Sequence, residues 1–386
     1  MLRPMRDEMA ITFGVENLYL LFLGSFLVVL LTLPIVQWLH VKFKKTPFAI
    51  VTVFTALLLF ISFLVLNEHG NVSQLSSVLF IWINVFNLLG LSMAWHLLGN
   101  VVPATEHPFF FTKAALGITV GTITGPILVQ LVIATGGSKY ILLWATVSLF
   151  CSLYCSRVAA NSPSHLSFNA KQQDDRKDHV SKPNQLSILG LFVFLYASLS
   201  TFLYLEQAHI ISSTISDPQH RVSFFAFRDL ATSIMAILVQ VFVTKKLIKS
   251  KGIIFSLMII PAVSVIMFAV VGFSPSLLVV TIVQVCYRAG NAAIQRPSRE
   301  IIFTRLERKN SYTIKGLIDT TVYRGGDAAS SLLFQVLKGL GFNLSALAFT
   351  AVPLAIAWLI TGYQLGKDQK ITFTKLMDHE TANVKT

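Results

Sequence analysis

The chain has 386 residues, 54% of them hydrophobic and only 13% charged, with a mean hydropathy of +0.68. Soluble domains carry about 25% charged residues, so this composition excludes a cytosolic enzyme and points to an all-α polytopic membrane protein. The apolar runs are continuous rather than alternating, which excludes a transmembrane β-barrel, and a net charge of +13 reads as basic cytoplasmic loops in preference to a nucleic-acid polymer as partner.

Eleven helices are expected, near 17–39, 48–66, 77–98, 114–134, 140–158, 186–206, 225–244, 253–271, 276–296, 316–337 and 344–363. Each has roughly the 20 residues that a bilayer core requires. Every second loop is basic. Lys42, Lys44 and Lys45 follow the first helix, Lys171, Arg176, Lys177 and Lys182 the fifth, and Lys245, Lys246, Lys249 and Lys251 the seventh. Arg299, Arg305, Arg308, Lys309 and Lys315 precede the tenth, and Lys367, Lys370 and Lys375 follow the last. The charge rule makes these loops and the C-terminus cytoplasmic.

Segment 159–184 is the one long polar connection and reads as a flexible cytoplasmic linker. It divides the chain into a first bundle at 1–158, a second at 185–364 and a cytoplasmic tail at 365–386. Five helices precede the linker and six follow it. The first helix must then start outside, which leaves Arg3 and Arg6 external, so the simplest expectation is a twelve-helix plan whose first helix is missing or truncated here. Met1–Met9 would be its outer end.

Ionisable side chains inside a bilayer cost from about 2.5 kcal/mol upward and need a partner, water or a function. Arg3 and Arg6, three apart, share a helix face, and Arg288 lies about 18 Å into its helix. Arg324 stands mid-helix beside Gly325 and Gly326. Guanidinium groups grip phosphate or carboxylate oxygens with two hydrogen bonds each. Arg3, Arg6, Arg288 and Arg324, with Asp319, are therefore the expected binding residues for a small anionic substrate. The competing reading is structural: Lys315 with Asp319 and Arg324 with Asp327 have the spacing of self-satisfied pairs, and Arg3 and Arg6 can anchor lipid headgroups. Arg296 and Glu300, four apart, read either as such a pair or, with Arg299, as a solvated helix end.

Glu206 closes the sixth helix and Arg228 and Asp229 open the seventh, which reads as an outer gate. Glu206, Asp229 and Asp327, together with Asp319, are also the candidate proton carriers. Tyr196, Tyr204, Trp95 and Tyr323 can stack on a base or simply pack, and His96 reads as a core residue. Gly117, Gly121 and Gly125, with Pro126, form a small-residue stripe expected to pack against another helix. Cys151, Cys155 and Cys286 sit in apolar stretches without metal-ligand spacing. No cofactor or metal is expected, and the absence of a phosphate loop argues against ATP hydrolysis as the energy source.

Four segments carry a family resemblance. "LRPMRDEMAITFGVENLYLLF" resembles the arginine–proline–basic–Asp end of the first helix in bacterial ATP/ADP translocase-like proteins, and "GITVGTITGPILV" resembles their glycine-rich helix. "FLYLEQAHII" and "AAIQRPSREIIFTRLERKNSYTIKGLIDTTVYRGGDAASSLL" are similar to their aromatic–Glu–Gln and proline–basic–Glu segments. The resemblance implies the six-plus-six plan of the major facilitator superfamily and alternating access between two halves. It also implies a multi-pass protein of the bacterial cytoplasmic membrane and a nucleotide as leading substrate, moved by exchange. Basic residues at the positions of Arg3, Arg6, Arg288 and Arg324 are linked to nucleotide transport in that family. The alternatives are a proton-coupled carrier of another organic anion (a carboxylate, siderophore or drug-like compound) and a non-transporting scaffold or sensor. A monomer is expected.

Overall fold

The computed structural model describes residues 1–43, 47–69, 73–101, 107–161, 183–303 and 316–383. Among them the regular structure is entirely helical. In chain order the helices are α1 (Leu2–Phe13), α2 (Leu18–Phe43), α3 (Pro47–His69), α4 (Ser73–Val101), α5 (His107–Gly136), α6 (Tyr140–Asn161) and α7 (Pro183–Thr214). Then come α8 (Pro218–Val239), α9 (Lys245–Phe273), α10 (Leu277–Gly290), α11 (Arg296–Phe303), α12 (Tyr323–Gly339) and α13 (Leu344–Asn383). Three π-helical turns join them, Gln240–Thr244, Asn291–Gln295 and Ile318–Val322.

Ten helical stretches among the described residues are long and apolar enough to span a membrane. They coincide with ten of the eleven expected helices. The exception is 316–337, which is helical from Ile318 to Gly339 but carries Asp319, Arg324 and Asp327, and these charges lower its apolar character. The expected 186–206 helix runs on to Thr214, so Glu206 lies eight residues inside α7 rather than at its end. Likewise α8 begins at Pro218, which puts Arg228 and Asp229 in its third turn instead of its first.

Hydroxyl side chains survive inside these apolar helices because they bond their own backbone. Ser25 donates to Leu21 O at 2.7 Å, Thr55 to Val51 O at 2.8 Å and Thr146 to Leu142 O at 2.9 Å. The carbonyl one turn back supplies the partner that lipid lacks. Caps follow local rules: Asp217 accepts the His220 amide at the start of α8, and Asn343 accepts the Ala346 amide at the start of α13. Gly252, at φ 78, interrupts α9, and this left-handed position turns the chain just after the lysine cluster at 245–251.

The chain packs into two units. The first is Met1–Arg176 with Ile211–Ser233, and the second is Lys177–Ile210 with Ile234–Thr386. Segment Ile211–Ser233, which the sequence division assigns to the second bundle, thus joins the first unit. Its Val222 and Ala226 enter an apolar core with Met5, Met9, Ile83 and Ile141. The linker expected at 159–184 lies almost wholly outside the described residues, as do Lys44, Lys45, Lys171, Arg176, Lys177, Lys182, Arg305, Arg308, Lys309 and Lys315. The side chains of Trp95 and His96 are also outside them. In the second unit α9 and α13 pack closely: a Cβ added at Gly366 would stand 2.8 Å from Ile254 Cα, and one at Gly362 would stand 3.1 Å from Leu257 O.

Candidate functional site

The first unit buries a charged network. Arg228 has no solvent exposure and donates to Asp7 at 2.7 Å and to Asp229 at 2.8 Å. Its guanidinium also lies 4.8 Å from the Phe225 ring. Arg6 bonds Asp7 at 2.8 Å and Asn84 at 3.0 Å. Two turns earlier in α8, Arg221 meets Glu8 at 3.2 Å, and Glu8 also accepts from Thr12. Two acidic residues of α1 therefore hold two arginines of α8 that are seven residues apart, a spacing that keeps both on one helix face. Gln130 and Ser223 exchange two hydrogen bonds of 2.8 Å and tie the same stretch of α8 to α5.

This arrangement revises two expectations. Arg6, expected with Arg3 to bind an anion, is engaged with Asp7 inside the unit, whereas Arg3 is exposed on α1. Arg228 and Asp229 form a buried structural pair with Asp7 instead of a surface gate with Glu206. Of the glycine stripe only Gly125 meets a neighbour, with its added Cβ 3.0 Å from Met1 N. A Cβ at Gly117 or Gly121 meets nothing within 4 Å.

In the second unit Tyr196 of α7 is the hub. Its ring stacks at 8° on Tyr287, with centroids 5.9 Å apart, and lies 5.9 Å from Tyr323 and 5.7 Å from Trp358. Tyr287 Oη donates to the Tyr196 carbonyl at 3.0 Å, and Asn291 donates to Tyr196 Oη at 2.7 Å. Asn291 opens a π-helical turn, whose wider winding shifts the face that α11 presents relative to α10. Thr244 donates to Ala293 O within that turn at 2.8 Å, which satisfies a carbonyl displaced from α-helical bonding.

Around this floor stand the charges. Arg324 donates to Asp327 at 3.1 Å, and Thr201 of α7 holds the other Asp327 oxygen at 2.8 Å. Arg299 pairs with Asp319 at 3.1 Å. The close approach of α7 and α12 rests on Gly326, where a Cβ would stand 2.8 Å from Phe194 O. Arg288 is half-buried and Arg296 exposed. Arg288 follows Tyr287 in the chain, and Arg296 and Arg299 lie five and eight residues beyond Asn291, the donor to Tyr196 Oη.

Arg324, Asp319 and Arg288 are thus in one unit. Arg324 and Asp319 are nevertheless engaged in pairs, the latter with Arg299. Arg296, which reads from sequence as a helix end, is the guanidinium that is exposed and without a hydrogen-bond partner among the described residues. Tyr287, Asn291, Thr201 and Trp358 were missed. Their signal is weak, because one aromatic or amide in an apolar helix is indistinguishable from packing until neighbouring helices are placed.

A helical chain with charged clusters inside apolar helices narrows the family sharply, and residues 3–331 match the model of the Major Facilitator Superfamily. The chain belongs to that superfamily. No curated protein matches it. Among solved structures, a bacterial homologue of the iron transporter ferroportin in its inward-facing state is similar at a TM-score of 0.62, with 17% identity over 95% of this chain and 93% of that one. A bacterial metal transporter is similar at 0.58, with 15% identity over 94% and 92%. A variant of the nucleoside transporter NupG is similar at 0.55, with 12% identity over 94% and 98%. At these identities the likeness establishes the fold. This superfamily member therefore has the fold of a multi-pass membrane transporter, and its two charged clusters are features of that fold's helices.

Proposed function

We propose that this protein is a secondary transporter of a small anionic metabolite, with a nucleotide as leading substrate, working by alternating access. The observation that carries the reading is Arg296: exposed, without a hydrogen-bond partner among the described residues, and five residues beyond Asn291, which bonds Tyr196 Oη. Arg288 adds a second charge next to Tyr287, whose ring stacks on Tyr196. A phosphate held there would meet bidentate donors above an aromatic surface, a combination suited to a nucleotide's charged and planar parts. The motif words shared with ATP/ADP translocase-like proteins favour the same substrate and an exchange mode. The protein resides in the bacterial cytoplasmic membrane as a monomer, with the basic loops and the C-terminus inside.

Uptake of labelled nucleotides and organic acids into proteoliposomes tests the reading. Replacing Arg296 by Gln is expected to leave the folded carrier intact and to raise the half-saturation concentration about tenfold to a hundredfold, the worth of one charge-assisted hydrogen bond of roughly 1.5–3 kcal/mol. Unchanged half-saturation would remove Arg296 from the site. Reporter fusions after Lys249 and Lys375 are expected to read cytoplasmic and one after Ser274 external, and the reverse pattern would overturn the orientation.

A further inference from the structure

One ionisable group has no counterpart in either cluster. Glu206 of α7 is fully buried, and neither of its carboxyl oxygens has a hydrogen-bond partner. It lies eight residues, about 12 Å, from the end of the helix at Thr214. Its surroundings in the second unit can be read from its neighbours on the same face. Phe202 and His209, four residues before it and three after, both touch Phe334 of α12, with ring centroids 5.5 and 5.6 Å away. Glu206 therefore points to the seam between α7 and α12 near Phe334.

Of the charged and titratable groups on the helices around that seam, His209 shares the face of Glu206 and the others lie farther along. On α12, Asp327 is held by Arg324 and Thr201, and Lys338 follows Phe334 by one turn. On α7, His209 Nδ1 lies 2.8 Å from Leu205 O, and Tyr204 precedes Glu206 by two residues. On α10, Tyr287 and Arg288 gather around Tyr196, ten residues or about 15 Å down α7. Among the described residues neither carboxyl oxygen of Glu206 meets a hydrogen-bond or ion-pair partner.

A carboxylate in such a place has neither counter-ion nor donor, and a buried group in that position neutralises instead of remaining charged. We propose that Glu206 is a proton-binding site of the transporter: it is the neutral acid in the conformation described and becomes a carboxylate when the transport cycle exposes it to water. The carboxyl takes one proton from water on one side of the membrane and returns it to water on the other, so one proton moves per cycle. The coupling half of this proposal rests on the substrate and alternating access of the transport reading above and puts proton-driven uptake in place of its exchange mode. The proton-holding half does not.

Two measurements separate them. Infrared titration of the purified protein is expected to show a carboxylic-acid carbonyl band at neutral pH that Glu206→Gln removes. An identical spectrum in the variant would mean that Glu206 is ionised and would overturn the proposal. In proteoliposomes with the membrane potential clamped, a pH gradient is expected to drive labelled ADP to about tenfold accumulation per pH unit for one proton per cycle. Glu206→Gln should only equilibrate ADP while retaining counterflow, and equal accumulation in both proteins would overturn the coupling. If ADP and the other nucleotides fail to enter, the substrate reading fails and the carbonyl band alone decides the fate of Glu206. Glu206→Asp keeps the acid and is expected to keep both the band and the accumulation. If the Gln variant does not fold, loss of both in a folded Asp variant counts against the proposal.

Discussion

The two units use arginine in opposite ways. In the first, Arg228 is sealed between Asp7 and Asp229, Arg221 is matched to Glu8, and Arg6 is shared between Asp7 and Asn84. In the second, engagement is graded: Arg324 and Arg299 each hold an aspartate, Arg288 is half-buried beside an aromatic floor, and Arg296 is exposed. Desolvation accounts for the contrast. A guanidinium removed from water needs carboxylates at hydrogen-bond distance, which leaves it no donor to offer a solute, whereas an exposed one keeps its donors available. The same residue type is thus cement in one unit and a candidate ligand in the other.

The largest effect belongs to the sealed cluster. Arg228→Leu removes the guanidinium that Asp7 and Asp229 share and leaves Arg6 beside Asp7, and breaking a buried pair by removing one partner costs about 3–5 kcal/mol. Little folded protein is expected, read as loss of the monodisperse peak in detergent and a steep fall in unfolding temperature. Adding Asp7→Asn and Asp229→Asn removes the stranded charges and should recover part of the loss. A fully stable single variant would show that the network is not structural and would dissolve the contrast between the units.

A smaller effect is expected at the paired arginine of the second unit. Arg324→Gln alone takes from Asp327 its guanidinium partner and leaves the Thr201 bond, at a cost of roughly 1–3 kcal/mol. The double variant Arg324→Gln/Asp327→Asn removes both charges and should restore much of the stability. Half-saturation of uptake then discriminates: near-normal affinity in the rescued protein assigns Arg324 to the framework, while poor affinity in a stable protein assigns it to the substrate.

How much of this was readable beforehand depends on whether a signal is local. Ten of the eleven expected helix positions follow from apolar runs of membrane length, which a single sequence displays directly, whereas the short polar helix Leu2–Phe13 has no such run. The Arg324–Asp327 pair is likewise local, three residues apart on one helix. Asp7 with Arg228 and Arg299 with Asp319 join different helices, and no spacing rule links them. Glu206 was misplaced because the apolar run was ended at the first charge, although a buried neutral acid continues a membrane helix without difficulty. Gly326 was seen as a small residue beside Arg324, but its role as the contact with the Phe194 backbone depends on where α7 lies.

The glycines give the smallest effects and the sharpest reversal of what their pattern implies. Gly117, Gly121 and Gly125 have the four-residue repeat of a packing stripe, whereas Gly326 has no such repeat. Yet a Cβ at Gly326 would stand 2.8 Å from Phe194 O and 2.9 Å from Ala197 Cβ, while one at Gly121 meets nothing. Backbone oxygen cannot swing aside as a side chain can, so Gly326→Ala must separate α7 from α12, an overpacking penalty of about 1–3 kcal/mol. That separation also lengthens the Thr201–Asp327 bond across the same seam, so the loss should appear in thermal unfolding and in uptake together. Gly121→Ala adds a methyl to open space and removes a flexible residue from a helix, which favours the helix by up to about 1 kcal/mol. Measured side by side, the first variant should unfold at lower temperature than the parent and the second at the same or a slightly higher one. A Gly121→Ala protein that folds normally but fails to transport would show that this face of α5 is covered at another stage of the cycle, and the repeat would then regain its meaning as a moving contact.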